Sequence, residues 1–269
     1  MSTPPTPPAF SQSLERGLAV LSAFSATGPV LGIADISRAV GLTRSTTHRY
    51  VSTLARLGFV RQDPRTRKYS LGPRVIDLGF AALSSMEMTR VAADHLQALA
   101  DETGYAASMA VLDGPDIVYV ERRRSRRPGG LGVDLNLHVG SRLPAYCTSM
   151  GKMLLAHREP AVLRCLLDRT TLARRGPNTI TGRERLIGAL AGVRAAGIAV
   201  NDEELAPGLR SIAAPVRDRS GTVVAAINVA VHLTTWTAPA ETLTGRIEGP
   251  LRRTAAEISA RLGHHPDPA

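Results

Sequence analysis

Three groups of residues in this sequence have the types and spacing to do chemistry. The first is the run Val139-Gly140-Ser141-Arg142-Leu143-Pro144-Ala145-Tyr146-Cys147-Thr148-Ser149-Met150-Gly151-Lys152. A loop with Gly and Pro there opens onto small and hydroxylated residues that begin a helix. Free backbone N–H groups at a helix start, together with the helix dipole, suit a carboxylate. The same run also reads as a plain helix start capped by Thr148 or Ser149, and the residues alone leave both readings open. The second group, Asp202-Glu203-Glu204, suggests acid–base work, although adjacent carboxylates read more simply as a solvated turn. The third is basic: Arg44, Ser45, Thr46, His48 and Arg49 in one helical stretch, and Arg65 and Arg67 in a turn. Such side chains contact phosphates and base edges.

Several chemistries are excluded by what the sequence lacks. Gly151-Lys152 resembles the end of a phosphate loop, but Tyr146 stands where its first glycine belongs and Met153 replaces the Ser/Thr. There is no GxSxG elbow, no HExxH and no dinucleotide fingerprint, so no enzyme and no cofactor is expected. Cys147 and Cys165 make neither a CxxC nor a metal-ligand spacing, and both read as reduced, with Cys165 as structural filler. No apolar run reaches the roughly 18 residues that a membrane span needs. The Pro- and Thr-rich start, residues 1–10, reads as a disordered tail and not as a signal peptide, which implies a cytoplasmic protein. With aromatics at 4%, base stacking on RNA is disfavoured.

The net charge of +10 is unevenly spread. Residues 1–75 hold ten basic residues against Glu15, Asp35 and Asp63, a surplus of seven. Charge concentrated in a small domain is the footprint of phosphate binding. The elements fit that reading. Leu14, Leu18, Leu21 and Phe24 recur at helical spacing over Gln12 to Ser25, predicting a helix with these on its buried face, ended by Gly28-Pro29. A short helix follows over Ala34 to Val40, then a tight turn at Gly41-Leu42. Thr43 caps a second helix running to about Leu57, with Thr47, Val51 and Leu54 inward and the basic group outward near its start. This is a helix-turn-helix. Residues 58–62 and 68–72 read as strands about a basic turn at 63–67, which makes a wing.

The segments Gln12-Ser13-Leu14-Glu15-Arg16, Gly41-Leu42-Thr43-Arg44-Ser45-Thr46-Thr47-His48-Arg49 and Tyr69-Ser70-Leu71-Gly72 together resemble the IclR family of bacterial regulators. The resemblance runs over about residues 10–262 and implies operator DNA as a partner. Arg16, Thr43, Arg44, Ser45, Thr46, His48, Arg49, Arg65 and Arg67 are then the DNA-binding set. Thr47 departs from the valine more often buried there; it is still β-branched.

Residues 73–87 read as a connecting helix, and 87–103 as a further helix, although an ordinary helical hairpin would look the same. Beyond it the period changes. Strands are expected at 105–112, 117–121, 132–137, 198–201, 209–216 and 223–231. Helices are expected at 145–157, 160–167, 182–196 and about 240–262. Arg122 to Arg127 reads as a mobile, solvated loop. The fold class is α+β: a winged helix-turn-helix (11–72), a helical linker (73–87) and an α/β domain with a largely antiparallel sheet (88–263), between tails at 1–10 and 264–269. The resemblance implies that this larger domain is GAF-like and binds an effector.

Carried over by position, Ser149, Met150 through its amide, Asn201, Ser211 and Asn228 become polar contacts, and Leu143, Leu209 and Leu135 apolar walls. Asn201 departs from an acidic residue of some relatives, and Ala230 from a hydroxyl. The variants at 143–152 and 228–232 are most similar to the branch that regulates protocatechuate, 4-hydroxybenzoate and β-ketoadipate catabolism. The implied effector is an aromatic or dicarboxylic acid. A sensor acting through protein partners, or an enzyme on a small acid, are the alternatives. One winged domain reads only a short half-site, and the apolar surplus on the first helix and the linker points to a dimer or a dimer of dimers.

Overall fold

The computed structural model describes residues 10–127, 137–232 and 240–265. Its contacts divide the chain into residues 1–85 and 86–269.

In the first unit, helix α1 (Gln12–Ala26) packs against α2 (Ile33–Val40) and α3 (Arg44–Arg56). Gly41 takes φ 65° between α2 and α3, a conformation that L side chains resist and glycine accepts. The core consists of Val20, Phe24, Leu31, Ile36, Val51, Val60 and Tyr69. The inward face of α1 is therefore Val20, Ala23 and Phe24, while Leu14 and Leu18 are more than half exposed. That corrects the expected face: Phe24 turns inward as predicted, but periodicity cannot say which of two adjacent apolar stripes meets the core. Thr47 is fully buried, and its hydroxyl donates to the Thr43 carbonyl at 2.9 Å. Strands β1 (Val60–Gln62) and β2 (Tyr69–Leu71) form the hairpin, and α4 (Arg74–Ser85) follows with no buried residue.

The second unit opens with α5 (Glu87–Thr103). Its sheet is built from β3 (Ala106–Asp113), β4 (Asp116–Arg123), β5 (Arg142–Pro144), β6 (Ala199–Asp202), β7 (Leu209–Arg217) and β8 (Val223–His232). The order is β5-β4-β3-β8-β7-β6, and every pair is antiparallel. Helices α5 and α9 (Ala240–Arg261) pack on one face; α6 (Ser149–Ala156), backed by α8 (Arg183–Ala196), packs on the other, and α7 (Pro160–Asp168) lies between these two in sequence. The α+β class and the largely antiparallel sheet hold as expected. The strand expected at 132–137 falls mostly outside the described residues, as do residues 1–9 and 266–269.

Four other expectations are corrected. The helix expected at 145–157 is broken: a 3₁₀ turn (Ala145–Cys147) comes first, and Thr148, in extended conformation, caps α6. Arg122 and Arg123 belong to β4, not to a solvated loop, and Arg126 is tied to Asp101 at 2.6 Å. Glu204 is buried and ion-paired to Lys152, so the acidic run is not simply a solvated turn. Cys165 is exposed, not filler. Among the described residues, no helix is long and apolar enough to cross a membrane.

Candidate nucleic-acid interface and effector site

At the start of α3 the capping expected from sequence is present. The Thr46 N–H donates to Thr43 Oγ1 at 3.3 Å, and the same hydroxyl donates to Thr46 Oγ1 at 2.9 Å. A hydroxyl cap of this kind stabilises a helix by about 1 kcal/mol. It also fixes the angle at which the first turn leaves the core. Arg44, Ser45, His48 and Arg49 are exposed around that turn, and Thr46 and Arg16 are half-buried. The Arg49 guanidinium lies 6.0 Å from the Tyr50 ring centre.

The wing is shaped by Asp63. Its Oδ1 accepts from the N–H groups of Arg65 at 2.7 Å and Thr66 at 3.1 Å, and these bonds hold its carboxyl below the usual range. Arg67 adopts φ 57°, unusual for a residue with a side chain, and its carbonyl accepts from Gln62 Nε2 at 3.0 Å. Arg65 and Arg67 are exposed at the tip. The first unit thus presents a capped helix start and a rigid hairpin, both rich in arginine.

In the second unit a cavity opens between the start of α6 and one face of the sheet. Register explains its floor. Arg122 pairs with Ser108, and Ser108 with Asn228, so these three lie in one row across β4, β3 and β8. The next row on the same face is Ala106, Ala230, Ser211 and Asn201, across β3, β8, β7 and β6. Side chains two apart on a strand share a face, which is why both rows serve one cavity. Tyr119, Leu137, Thr148, Met150, Leu205 and Leu209 complete the walls, around a cavity of about 20 Å³, room for about one water.

Of the residues singled out from the sequence, Met150, Asn201, Leu209, Ser211 and Asn228 line this cavity. Ser149 joins it indirectly, its hydroxyl 2.8 Å from that of Ser211. Leu143 does not line it: on β5 it pairs with Ile117 of β4 and packs against the core. Leu135 lies outside the described residues. The polar groups are not equally available. Asn201 Nδ2 donates to the Cys147 carbonyl at 3.2 Å, and its Oδ1 accepts from the Glu204 N–H at 2.9 Å, so this side chain clamps β6 to the 3₁₀ turn. Asn228 Oδ1, by contrast, is buried and has no hydrogen-bond partner among the described residues. The N–H groups of Ser149 and Met150 likewise make no hydrogen bond among them, as expected for the first turn of a helix. Burial pushes the Tyr119 hydroxyl up to about 12, keeping it a donor at neutral pH, and the Cys147 thiol up to about 11, keeping it protonated and unreactive.

Sequence reasoning missed Arg122. It is half-buried, lines the cavity, and its Nη1 donates to Ser108 Oγ at 3.0 Å. No periodic signal marked it: Tyr119 and Arg122, three apart, share the cavity only because a bulge at Val120 shifts the register of β4 on β3. It also missed the buried pair at the far side of α6. Lys152 Nζ donates to Glu204 Oε1 and, at 2.6 Å, to the Val200 carbonyl. Burial pushes the Glu204 carboxyl up, and the Lys152 ammonium opposes it.

Comparison with known proteins matches both units. The family described as IclR helix-turn-helix domain matches residues 13–64, and Bacterial transcriptional regulator IclR C-terminal matches residues 80–260. The Pca regulon regulatory protein of Pseudomonas putida is 43% identical over 226 residues, 84% of this chain and 76% of that protein. The p-hydroxybenzoate hydroxylase transcriptional activator of Acinetobacter baylyi is 32% identical over 220 residues, 81% of this chain and 80% of that protein. Among solved structures, an IclR homolog from Microbacterium hydrocarbonoxydans complexed with 4-hydroxybenzoate superposes with a TM-score of 0.79 at 28% identity. The match covers 93% of this chain and 99% of that one. These relatives are named as regulators of transcription, in agreement with the helix-turn-helix and against an enzyme. The chain belongs to the IclR family of bacterial transcriptional regulators, DNA-binding proteins with a C-terminal effector domain.

Proposed function

We propose that this regulator is controlled by a small carboxylic acid, an aromatic acid or a β-ketoadipate-type dicarboxylate, bound between the start of α6 and the polar rows of the sheet. The observation that carries this reading is the cavity itself. It sets the first-turn amide of Met150 and the guanidinium of Arg122 in a largely apolar wall. A buried carboxylate requires several such donors, because an unpaired one is costly. The relatives named for the Pca regulon and for p-hydroxybenzoate hydroxylase support the same acid class. In the DNA complex, Arg44, Ser45, Thr46 and Arg49 face the major groove, and Arg65 and Arg67 supply the wing contact.

The working form is a dimer or a dimer of dimers in the cytoplasm, joined through the helices at 73–87 and α1. Leu14 and Leu18 on α1, and Ile76, Leu78 and Phe80 on α4, are large apolar side chains that are each more than half exposed. The acid acts by favouring one spacing of the DNA-binding units, so by linkage operator DNA changes its affinity by the same factor. Isothermal titration of the full chain against 4-hydroxybenzoate, protocatechuate, β-ketoadipate and pyruvate tests the acid class. Saturable binding that shifts when operator DNA is added supports the reading. No binding by any acid refutes it. Sedimentation as a monomer at micromolar concentration, with and without operator, refutes the assembly.

A further inference from the structure

We infer that the second unit carries another anion site, at the opposite end of α6 from the cavity above: a cleft lined by Arg158, Arg194 and Arg217 that takes a phosphate dianion, free or as a small monoester.

The cleft lies where α6 ends, beside the last turn of α8 and the β7–β8 hairpin, and shares no lining residue with the cavity at the start of α6. Its volume is about 480 Å³. Small-molecule sites run from about 300 to 1,000 Å³, so a phosphate and a short organic remainder both fit. The charged side chains in its wall are Arg158, Arg194 and Arg217 against Glu159 alone, a surplus of two positive charges. Asp218, on the hairpin, does not line it; its carboxylate is taken up by the N–H groups of Ser220 and Thr222.

These cations are not spoken for. The guanidiniums of Arg158 and Arg194 make no hydrogen bond or ion pair among the described residues. Elsewhere in this unit exposed arginines meet carboxylates, as Arg126 meets Asp101 at 2.6 Å, Arg142 meets Asp113 at 2.8 Å and Arg253 meets Glu102 at 2.8 Å. Arg217 is fixed, but only by neutral acceptors. Its Nη1 donates to the Gly221 carbonyl at 2.8 Å, and its Nη2 donates to His157 Nε2 at 3.3 Å. The His157 ring is held in turn by its Nδ1, which donates to the Met153 carbonyl at 3.0 Å. The Arg217 side chain is therefore aimed before any ligand arrives, with its charge unanswered and its Nε without a partner among the described residues.

Arg158 follows the end of α6, and Arg194 lies in the last turn of α8, where a cation answers the helix dipole. The dipoles account for one cation at each helix end. They do not account for the third, which comes from a strand. The crowding is felt at His157. Burial lowers its pKa most; the Met153 carbonyl opposes this, and the charges of Arg217 and Arg194 lower it further. One guanidinium fork suits a planar carboxylate. Three guanidiniums from three elements, with two charges in excess, suit a tetrahedral group that offers three oxygens and two negative charges. A phosphate monoester is largely in that form at pH 7.5.

The test is isothermal titration of the full-length protein at pH 7.5 and about 0.1 M salt with inorganic phosphate, glycerol 3-phosphate and glycerol. Both phosphates are expected to bind and glycerol is not, and the tighter of the two identifies the source as free phosphate or a monoester. Arg158→Gln combined with Arg194→Gln is expected to weaken phosphate binding tenfold or more without loss of fold, since neither guanidinium has a partner to lose. NMR of the His157 ring reports the location: with glycerol 3-phosphate bound, its titration midpoint is expected to rise, because the dianion offsets the two guanidiniums. Unchanged phosphate affinity in the folded double variant would place binding elsewhere and overturn the site. A wild-type protein that binds neither phosphate at millimolar concentration would overturn it too. So would a double variant that instead loses affinity for a non-specific DNA duplex, which would make the cleft a DNA contact.

Discussion

Replacing Lys152 by Met tests how the cavity is held together. Lys152 and Glu204 are each 5% exposed and ion-paired through Glu204 Oε1, and Glu204 Oε2 has no hydrogen-bond partner among the described residues. The pair joins α6, whose first turn lines the cavity, to the segment after β6 that carries Asn201. Met preserves the length and apolar stem of Lys152 but leaves Glu204 buried without its cation. Breaking a buried pair from one side costs about 3–5 kcal/mol. For a unit of this size that is about 2–4 °C per kcal/mol, a fall of ~10 °C in the unfolding midpoint. The loss should depend on pH. Burial already pushes the Glu204 carboxyl above its ordinary value, with Lys152 pulling it back. Without Lys152 the folded-state value rises further. A carboxyl whose folded pKa is raised contributes stability that is fully present below its unfolded pKa and is lost as pH rises through the folded value. The deficit of Lys152→Met is therefore smallest near pH 4 and largest at neutral pH and above. Lys152→Met with Glu204→Leu removes both charges and should recover to within about 1 kcal/mol of wild type. Urea unfolding of all three proteins at pH 4.5 and 8 makes the measurement. A deficit below about 1 kcal/mol at pH 8, or one independent of pH, would refute the reasoning.

Other expected outcomes concern single positions. Arg49→Ala is expected to cost about 1–3 kcal/mol of operator binding and to relax specificity, read by anisotropy titration on operator and scrambled duplexes. Arg67→Gly removes a charge and also relieves the positive φ at the wing tip. The fold should be as stable as wild type or more so, while affinity for every sequence falls and the salt slope flattens by about 1. Thr43→Ala removes the cap that receives the Thr46 N–H and should lower thermal stability by about 1 kcal/mol. At Gly151 an added Cβ would lie 2.2 Å from the Ala145 carbonyl oxygen, so Gly151→Ala must push α6 off the 3₁₀ turn. A cost of about 1–3 kcal/mol and weakened acid binding in calorimetry are expected; unchanged values for both would count against this packing.

What was legible in the sequence is what local residues decide. Thr43 announces its cap, Gly41 its turn and Asp63 the hairpin tip through interactions within a few positions, and each stands where it was expected. The strands around Gly114 were read for the same reason. Arg122 and Glu204 were misread because their meaning is set by partners far along the chain. Arg122 becomes a cavity wall only through the register of β4 on β3 and β8, and Glu204 is buried only because Lys152 is 52 residues away and facing it. Thr148 lies between these cases. It was named as a possible cap, yet the apolar run Ala145-Tyr146-Cys147 before it satisfies a helical period. The break follows from the tight approach of Gly151 to Ala145, which periodicity does not encode.

The pairing of β3 with β8 closes the centre of the sheet with residues more than a hundred positions apart, Ser108 with Asn228. Chain order thereby separates the two activities in time. The helix-turn-helix core is complete by Leu71, while the cavity lacks one wall until Asn228 and Ala230 have been synthesised. Domains emerging from the ribosome fold from the N-terminal end first. A chain interrupted after α4 would hold the helix-turn-helix and none of the sheet that lines the cavity. Conversely, an effector that binds only the closed sheet grips both ends of a long loop at once. At a hundredfold excess over its Kd it adds about 2.7 kcal/mol to the stability of the whole second unit, so resistance to a protease would report the effector directly.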